Sequence, residues 1–416
     1  MSMPVAELHW RRSSEVSLRS HTPEYREEQS HFEAEVRNFS NQLDKLRMKA
    51  QAGRFLLTER TLLRHLLILG STGSGKTNHA FNLIKSTVEG NTEVSVVVLD
   101  GKREYRRLKK IFESDVEVFS VGGEPRARFN PLAPPEETNA QHWDRAFADV
   151  FTRAYGLSEP SRRILLDSLF ELRHQSKENP TLRELEKQVA EFEAGSVKEQ
   201  ASRRSLESRL HIINTGPVGE SLNTEEVLDA GGLDGKVVVF EIGEVDSLRD
   251  QAFIAELLLL YLWQHDRTFI DEDEEKLKRL VIVEEAHRYL SEERPPERRG
   301  ERTLLELALA EARRYGWGFV IVDQMPNLLS RYVWDNMGTI LVHRLSNMDS
   351  YQTVKKALGQ DPVSHGEIED KRLAPLLLSL PEEFAVYRKY VGGTMAAETA
   401  VGVVVVPKIT LASIQK

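Results

Sequence analysis

The chain contains no cysteine, which rules out disulfides, thiolate zinc sites and cysteine nucleophiles and fits a reducing compartment. It also lacks a long hydrophobic run: the longest, around Ala252 to Trp263, is interrupted by Glu256 and is too short to span a bilayer. The first residues, MSMPVAELHWRRSSEV, hold no apolar stretch of the signal-peptide kind, so the expectation is a cytoplasmic protein that does not engage a membrane. Positive charge is not in excess either. A net charge of −9 argues against a nucleic-acid binder with a basic outer face, but not against basic residues confined to a channel. With 40% hydrophobic and 29% charged residues over 416 positions, the chain has ample length for a large α/β core, as one big domain with extras or as two domains.

What is present gathers around residues 65–80, HLLILGSTGSGKTNHA. Apolar Leu66 to Leu69 run into Gly70, Ser71, Thr72, Gly73, Ser74, Gly75, Lys76 and Thr77, which fill every position of the G-x-x-x-x-G-K-[ST] phosphate loop. Glycines let the backbone curl so that its N–H groups face a β-phosphate, the lysine bridges β and γ oxygens, and the threonine hydroxyl ligates Mg2+. A helix predicted from Asn78 to Glu89 adds its positive N-terminal end. A Gly/Ser-rich stretch can be only a turn, but strand, loop and helix in this order favour nucleotide binding.

Along the chain, residues 1–22 are polar and unpatterned, and one charged helix is expected from Pro23 to about Ala52, with Phe32, Val36, Phe39, Leu43 and Leu46 on a seam that suits its own domain or a partner equally. Val94 to Leu99 is a β-branched run of the kind buried on both faces in parallel sheets, and it places Asp100 at a strand's carboxyl end. GKREYRRLKK follows; it is read as a solvated helix face, with Lys102 and Arg103 as candidates for a nucleic-acid contact. A short strand, Val116 to Phe119, precedes FNPL at Phe129 to Leu132, and residues 134–235 form a helical insertion containing helices such as Ser161–Arg173 and Ser202–Ile213. Strand patterning resumes at KVVVFEIG and is followed by the apolar helix Asp250–His265 and the acidic turn DEDEEK. Arg279 to Val283 is a strand closed by Glu284 and Glu285: the first acid is expected to hold the Mg2+ shell and the second to polarise the attacking water. After the charged loop ERPPERRGER comes a helix from Thr303 to Tyr315, then strand Phe319–Val322, which delivers Gln324 to the edge shared by Lys76 and Glu285, where an amide can sense the γ-phosphate or orient water. Thr339 to His343 is the last core strand, and EEFAVYRKYVG and AVGVVVVPKI read as two edge strands.

The order of RHLLILGSTGSGKT, VVVLDGKREY, FNPL, VIVEEAH, EARRYGWGFVIVDQMPNLL and ILVHRLSN resembles the HerA/FtsK superfamily of ring-shaped ATPases, most closely its HerA-like branch. The resemblance implies an α/β fold, a RecA-like P-loop NTPase core with a mainly parallel sheet, a helical insertion and a short helical N-terminal extension. Its parts are 1–60 as arm and helix, 61–133 as the first part of the core, 134–235 as the insertion and 236–416 as the second part. It implies a homohexamer that hydrolyses ATP with Mg2+ between subunits and pulls double-stranded DNA through a central pore, working with a separate nuclease or defence effector in end processing or defence. Lys76 and Thr77 match the nucleotide loop, Asp100 an acid ending the second strand, Glu285 the catalytic glutamate and Gln324 the sensor glutamine. Arg313 or Arg314 matches an arginine finger given to a neighbour, with Arg64 a weaker candidate for a contact in trans. Three features depart from the pattern: Glu284 stands where Asp is usual, Asp323 where Ser or Thr is usual, and no N-terminal β-barrel precedes the first strand. A scaffold that binds ATP and assembles an effector without productive translocation is the alternative. A conjugative coupling or secretion ATPase shares the core but usually carries membrane segments.

Overall fold

The computed structural model describes residues 57–112, 116–175, 178–267, 276–291, 302–358, 377–382, 384–391 and 398–405. The expected N-terminal arm and helix, most of DEDEEK, nearly all of ERPPERRGER and the end of the last predicted strand lie outside the described residues. Contacts divide the chain into one large unit, residues 57–402 with 406–416, and a small one, residues 1–56 with 403–405. Residues 134–235, the helical insertion, therefore fall within the large unit.

Nine strands form one sheet: β1 Leu66–Leu69, β2 Ser95–Asp100, β3 Val116–Ser120, β4 Val237–Glu241, β5 Arg279–Glu284, β6 Trp317–Asp323, β7 Thr339–Val342, β8 Phe384–Val391 and β9 Glu398–Val405. Their order is β3-β4-β2-β5-β6-β1-β7-β8-β9. Every neighbouring pair from β3 to β7 is parallel, and β8 runs antiparallel to β7. The apolar, β-branched runs explain this placement: every residue of β1, β2, β4, β5, β6 and β7 is buried, whereas β3, at the edge, alternates buried and half-buried positions.

Helix α1, Lys76–Gly90, follows β1 directly. Between β3 and β4 the chain makes a long helical crossover containing α2 Ala140–Tyr155, α3 Glu159–His174, α4 Leu182–Glu191, α5 Val197–Asn214 and α6 Gly216–Leu222. Asn139, Ser158, Thr181 and Ser196 cap four of these helices by accepting hydrogen bonds from first-turn amides, which explains where the helices start. The crossover is fastened to the core where Phe147, Phe151 and Tyr155 of α2 pack on Phe253 of α7, Leu248–Arg267. The helix expected from Thr303 to Tyr315 stops earlier: α8 covers Leu304–Glu311, and Ala312–Tyr315 tightens into a 3-10 turn before left-handed Gly316, so β6 starts at Trp317. Among the described residues no helix is long and apolar enough to cross a membrane.

Because the core strands are parallel, their carboxyl ends share one edge of the sheet and their amino ends the other. The phosphate loop, Asp100, Glu241, Glu284, Asp323 and His343 sit at or just beyond the carboxyl edge. Arg64, Arg279 and the Ala312–Tyr315 turn sit at the amino edge.

Candidate active site

Gly70 to Thr77 leave β1 and curl into α1 as the motif requires. Gly73 and Gly75 have φ of 68° and 98°, and a side chain on Gly75 would meet the Glu382 carbonyl oxygen at 2.3 Å, so a bare backbone is needed there. The loop is tied to the end of β7, since the Ser71 amide and hydroxyl both donate to the Arg344 carbonyl, at 2.7 and 3.0 Å. Lys76 is buried and curls back so that Nζ donates to the Ser71 carbonyl at 2.9 Å. Burial holds its ammonium below the usual lysine range; the Lys102 charge adds to this, and Glu284, Glu285 and Asp323 oppose it. Thr72 and Gly73 are exposed, and Asn78 is half-buried in the first turn of α1.

The acids that end β5 are buried and linked to three elements. Glu284 Oε2 accepts from the Tyr105 hydroxyl at 2.8 Å. Burial pushes its carboxyl up to about 7, against the lowering effects of that bond and of Lys102. Glu285 stands in the left-handed region at φ 53°, a conformation unfavourable for a residue with a side chain and held here by its contacts. Its Oε2 accepts from Gln324 Nε2 at 2.8 Å, its Oε1 is ion-paired with Lys102, and Gln324 Oε1 accepts from the Thr72 hydroxyl at 2.7 Å. Two hydrogen bonds thus join the phosphate loop to Glu285 through Gln324.

In the turn after β2, sequence reasoning named Asp100 and Lys102 but missed Glu104 and Tyr105. Asp100 is fully buried, and its two oxygens accept from the amides of Lys102 and Tyr105, each at 2.8 Å. Burial raises its pKa, and these amides pull it back. Its carboxylate acts on the site through the turn it holds, and we read it as a positioning residue rather than a proton acceptor. From that turn Lys102 reaches Glu285, Glu104 accepts from the Thr77 hydroxyl at 3.0 Å, and Tyr105 reaches Glu284. The basic stretch is a solvated helix face only in part: Arg107, Lys109 and Lys110 are exposed on a 3-10 helix, Tyr105–Lys110, whereas Arg103 pairs with Glu241 and Glu244, and Arg106 with Glu241, at the end of β4. The only local signal was an acid and a tyrosine within a run otherwise read for its positive charge.

Asp323 is also accounted for. Its carboxylate accepts from the His287 amide at 2.7 Å and the Met325 amide at 2.6 Å, and lies 3.0 Å from His287 Nδ1, bracing the turns after β5 and β6. Burial opposes charge on His287, but Asp323 and Glu285 outweigh it and its pKa is raised. The extra negative charge beside Gln324 is thereby countered within the fold.

Among the described residues no three His, Cys, Asp or Glu side chains converge on a metal site. Mg2+ does not require such a cage, because substrate phosphates and water supply most of its ligands and one or two protein oxygens complete them. The donors here are all oxygens, as that cation prefers. Thr77 gives its hydroxyl proton to Glu104, which leaves the oxygen's lone pairs for a cation. Glu284, the other expected ligand, has one oxygen engaged by Tyr105.

Arg313 and Arg314 are exposed, on the 3-10 turn before β6. The seven residues of β6 separate that turn from Gln324 by roughly 20 Å, so neither arginine serves the site of its own chain. Arg64, before β1, is at the same amino edge.

Residues 49–260, just over half of the chain, match the family described as "Helicase HerA, central domain". The chain belongs to this family. It is 22% identical over 336 residues to the DNA double-strand break repair helicase HerA of Pyrococcus furiosus, an alignment covering 71% of this chain; the chain spans 59% of that relative's length. Among solved structures, VirB4 of Thermoanaerobacter pseudethanolicus superposes with a TM-score of 0.61 at 15% identity, covering 85% of this chain and 91% of that one. The conjugative coupling protein TrwB superposes at 0.62 with 13% identity over 88% and 93%. The fold of this HerA-family chain is thus the RecA-like α/β fold of P-loop NTPases that the motifs implied.

Proposed function

We propose that the chain is an ATP hydrolase that moves double-stranded DNA, acting as a ring of identical subunits with Mg2+ as the cation. The observation that carries this reading is the chain of contacts from Thr72 through Gln324 to Glu285, which places a buried carboxylate beside a complete phosphate loop. Lys76 and the loop amides bind the phosphates; Thr77 with Glu104 and Glu284 would provide the oxygens for Mg2+, which would supply charge neutralisation at the phosphates when bound. Glu285 accepts a proton from the attacking water, and Gln324 orients Glu285. DNA as the substrate is extended from the Pyrococcus furiosus relative, a repair helicase, and Mg2+ accords with the solved complex of TrwB with ADP and Mg2+. A separate nuclease or defence effector is the partner we propose for the ring.

The test compares ATP hydrolysis by the wild-type chain and Glu285→Gln, with and without duplex DNA. Duplex DNA should raise the wild-type rate, and Glu285→Gln should lower it by about 100-fold or more while ATP binding persists, the usual scale for losing a general base. A wild-type rate that duplex DNA leaves unmoved would remove DNA from this reading.

A further inference from the structure

Lys102 has no part in the hydrolysis scheme above, yet its ammonium is ion-paired with the carboxylate proposed to activate water. The other oxygen of Glu285 is held by Gln324, so both are engaged before any substrate arrives. Glu285 is 1% exposed and Lys102 27% exposed, so the lysine reaches inward to cover a carboxylate almost removed from water. Its root is fixed, because Asp100 holds the Lys102 amide while Glu104 and Tyr105 anchor the rest of the turn on Thr77 and Glu284. Only the four-carbon side chain remains to move.

One set of contacts shows what that side chain can move towards. The phosphate loop is joined to Glu285 through Gln324, so a terminal phosphate held by the loop arrives beside the pair Lys102 occupies. In such a site a phosphate with nearly two negative charges competes successfully with a single carboxylate for one ammonium. Lysine suits a transfer of this kind, being a compact point charge with rotatable donors on a flexible stem, whereas arginine's planar fork is set for one partner.

We propose that Lys102 is a second phosphate-binding lysine, which leaves Glu285 for the γ-phosphate of a bound nucleoside triphosphate and so frees Glu285 to accept the proton of water. The inference rests on the ATP-hydrolase reading and adds that the substrate's terminal phosphate itself switches the base on. A nucleoside diphosphate, lacking that phosphate, leaves the lysine on the glutamate. A nucleic-acid contact by Lys102 is the weaker reading, since the side chain is engaged with a buried carboxylate.

The experiment measures binding of a non-hydrolysable ATP analogue and of ADP, both with Mg2+, to the intact wild-type chain, Lys102→Met and Lys102→Arg. Lys102→Met should weaken the triphosphate analogue about 10-fold, the scale of one charge-assisted hydrogen bond, and ADP less than about twofold. ADP binding also reports that the variant is folded. Lys102→Arg, which keeps the charge but replaces the compact rotating donor by a planar fork, should retain only part of the preference for triphosphate. Equal weakening of both nucleotides, or of neither, overturns the proposal. A faster hydrolysis rate with unchanged triphosphate affinity would make Lys102 a clamp on Glu285 alone and would overturn it too. So would a loss of salt-sensitive duplex affinity with unaltered nucleotide discrimination. Wild-type chain that binds neither nucleotide strikes the ATP reading itself, a result distinct from loss of discrimination in the variant alone.

Discussion

The two edges of the sheet treat charge differently. At the carboxyl edge Lys102, Glu104, Glu284, Glu285, Gln324 and Asp323 are all engaged with neighbouring side chains or backbone amides, and three of them, Glu284, Glu285 and Asp323, are buried. At the amino edge one arginine is locked inside: Arg279 is buried against Asp266 and Asp234, at 2.7 and 2.9 Å. Arg313 and Arg314 lie exposed on their turn at the same edge. The difference teaches that a ligand at the carboxyl edge meets side chains already engaged with one another, whereas Arg313 and Arg314 at the amino edge lie at the surface.

The strongest way to break this comparison is to remove the exposed arginines. Arg313→Ala/Arg314→Ala should cut ATP hydrolysis by about 1,000-fold if they stabilise a neighbour's transferring phosphoryl group. Mixing those subunits with Glu285→Gln subunits should restore part of the rate, because some interfaces then join an intact glutamate to intact arginines. No recovery in demonstrably mixed rings would confine each site to a single chain.

Acid sharpens the other side of the comparison. His79 Nδ1 and His343 Nε2 are 3.1 Å apart and buried, where α1 meets the end of β7. Burial holds His79 down at about 4 and His343 at about 3, the latter helped by the charges of His79 and Lys76. Both are neutral in the folded chain, while in the unfolded chain they take up protons near pH 6.5. Their contribution to stability is therefore fully present above about pH 6.5 and is lost as pH falls towards about 4. Denaturation midpoints at a series of pH values should fall across that interval, and a midpoint flat across it would contradict the burial of the pair.

The smallest effect concerns one hydroxyl. Tyr105→Phe leaves Glu284 Oε2 without its donor and should cost about 1–3 kcal/mol of stability, measured by denaturant unfolding. Added Mg2+ with nucleotide should recover part of that loss if Glu284 faces the cation.

Much of the fold was legible in the sequence because its signals are local. The β-branched run before Asp100 and the apolar run before Glu284 both emerge as buried strands within a residue or two of their expected ends. The strand order was not legible, since no run of residues records which neighbour it will pair with. Within the site, the phosphate loop, Glu285 and Gln324 were found from motifs, and the structure does bring them together. GKREYRRLKK was legible only in its exposed half, Arg107, Lys109 and Lys110, because charge along a segment does not reveal which side chains turn inward.

By itself the sequence determined the phosphate loop, because a curled backbone needs glycine at Gly73 and Gly75 whatever surrounds it. Only the tertiary structure decided the state of the carboxylates that end β5. Tyr105 and Glu284 are 179 positions apart, and burial together, rather than adjacency in the chain, moves the glutamate's pKa to about 7. Desolvation and ion pairing act through space, so they exist only once the strands have been laid side by side.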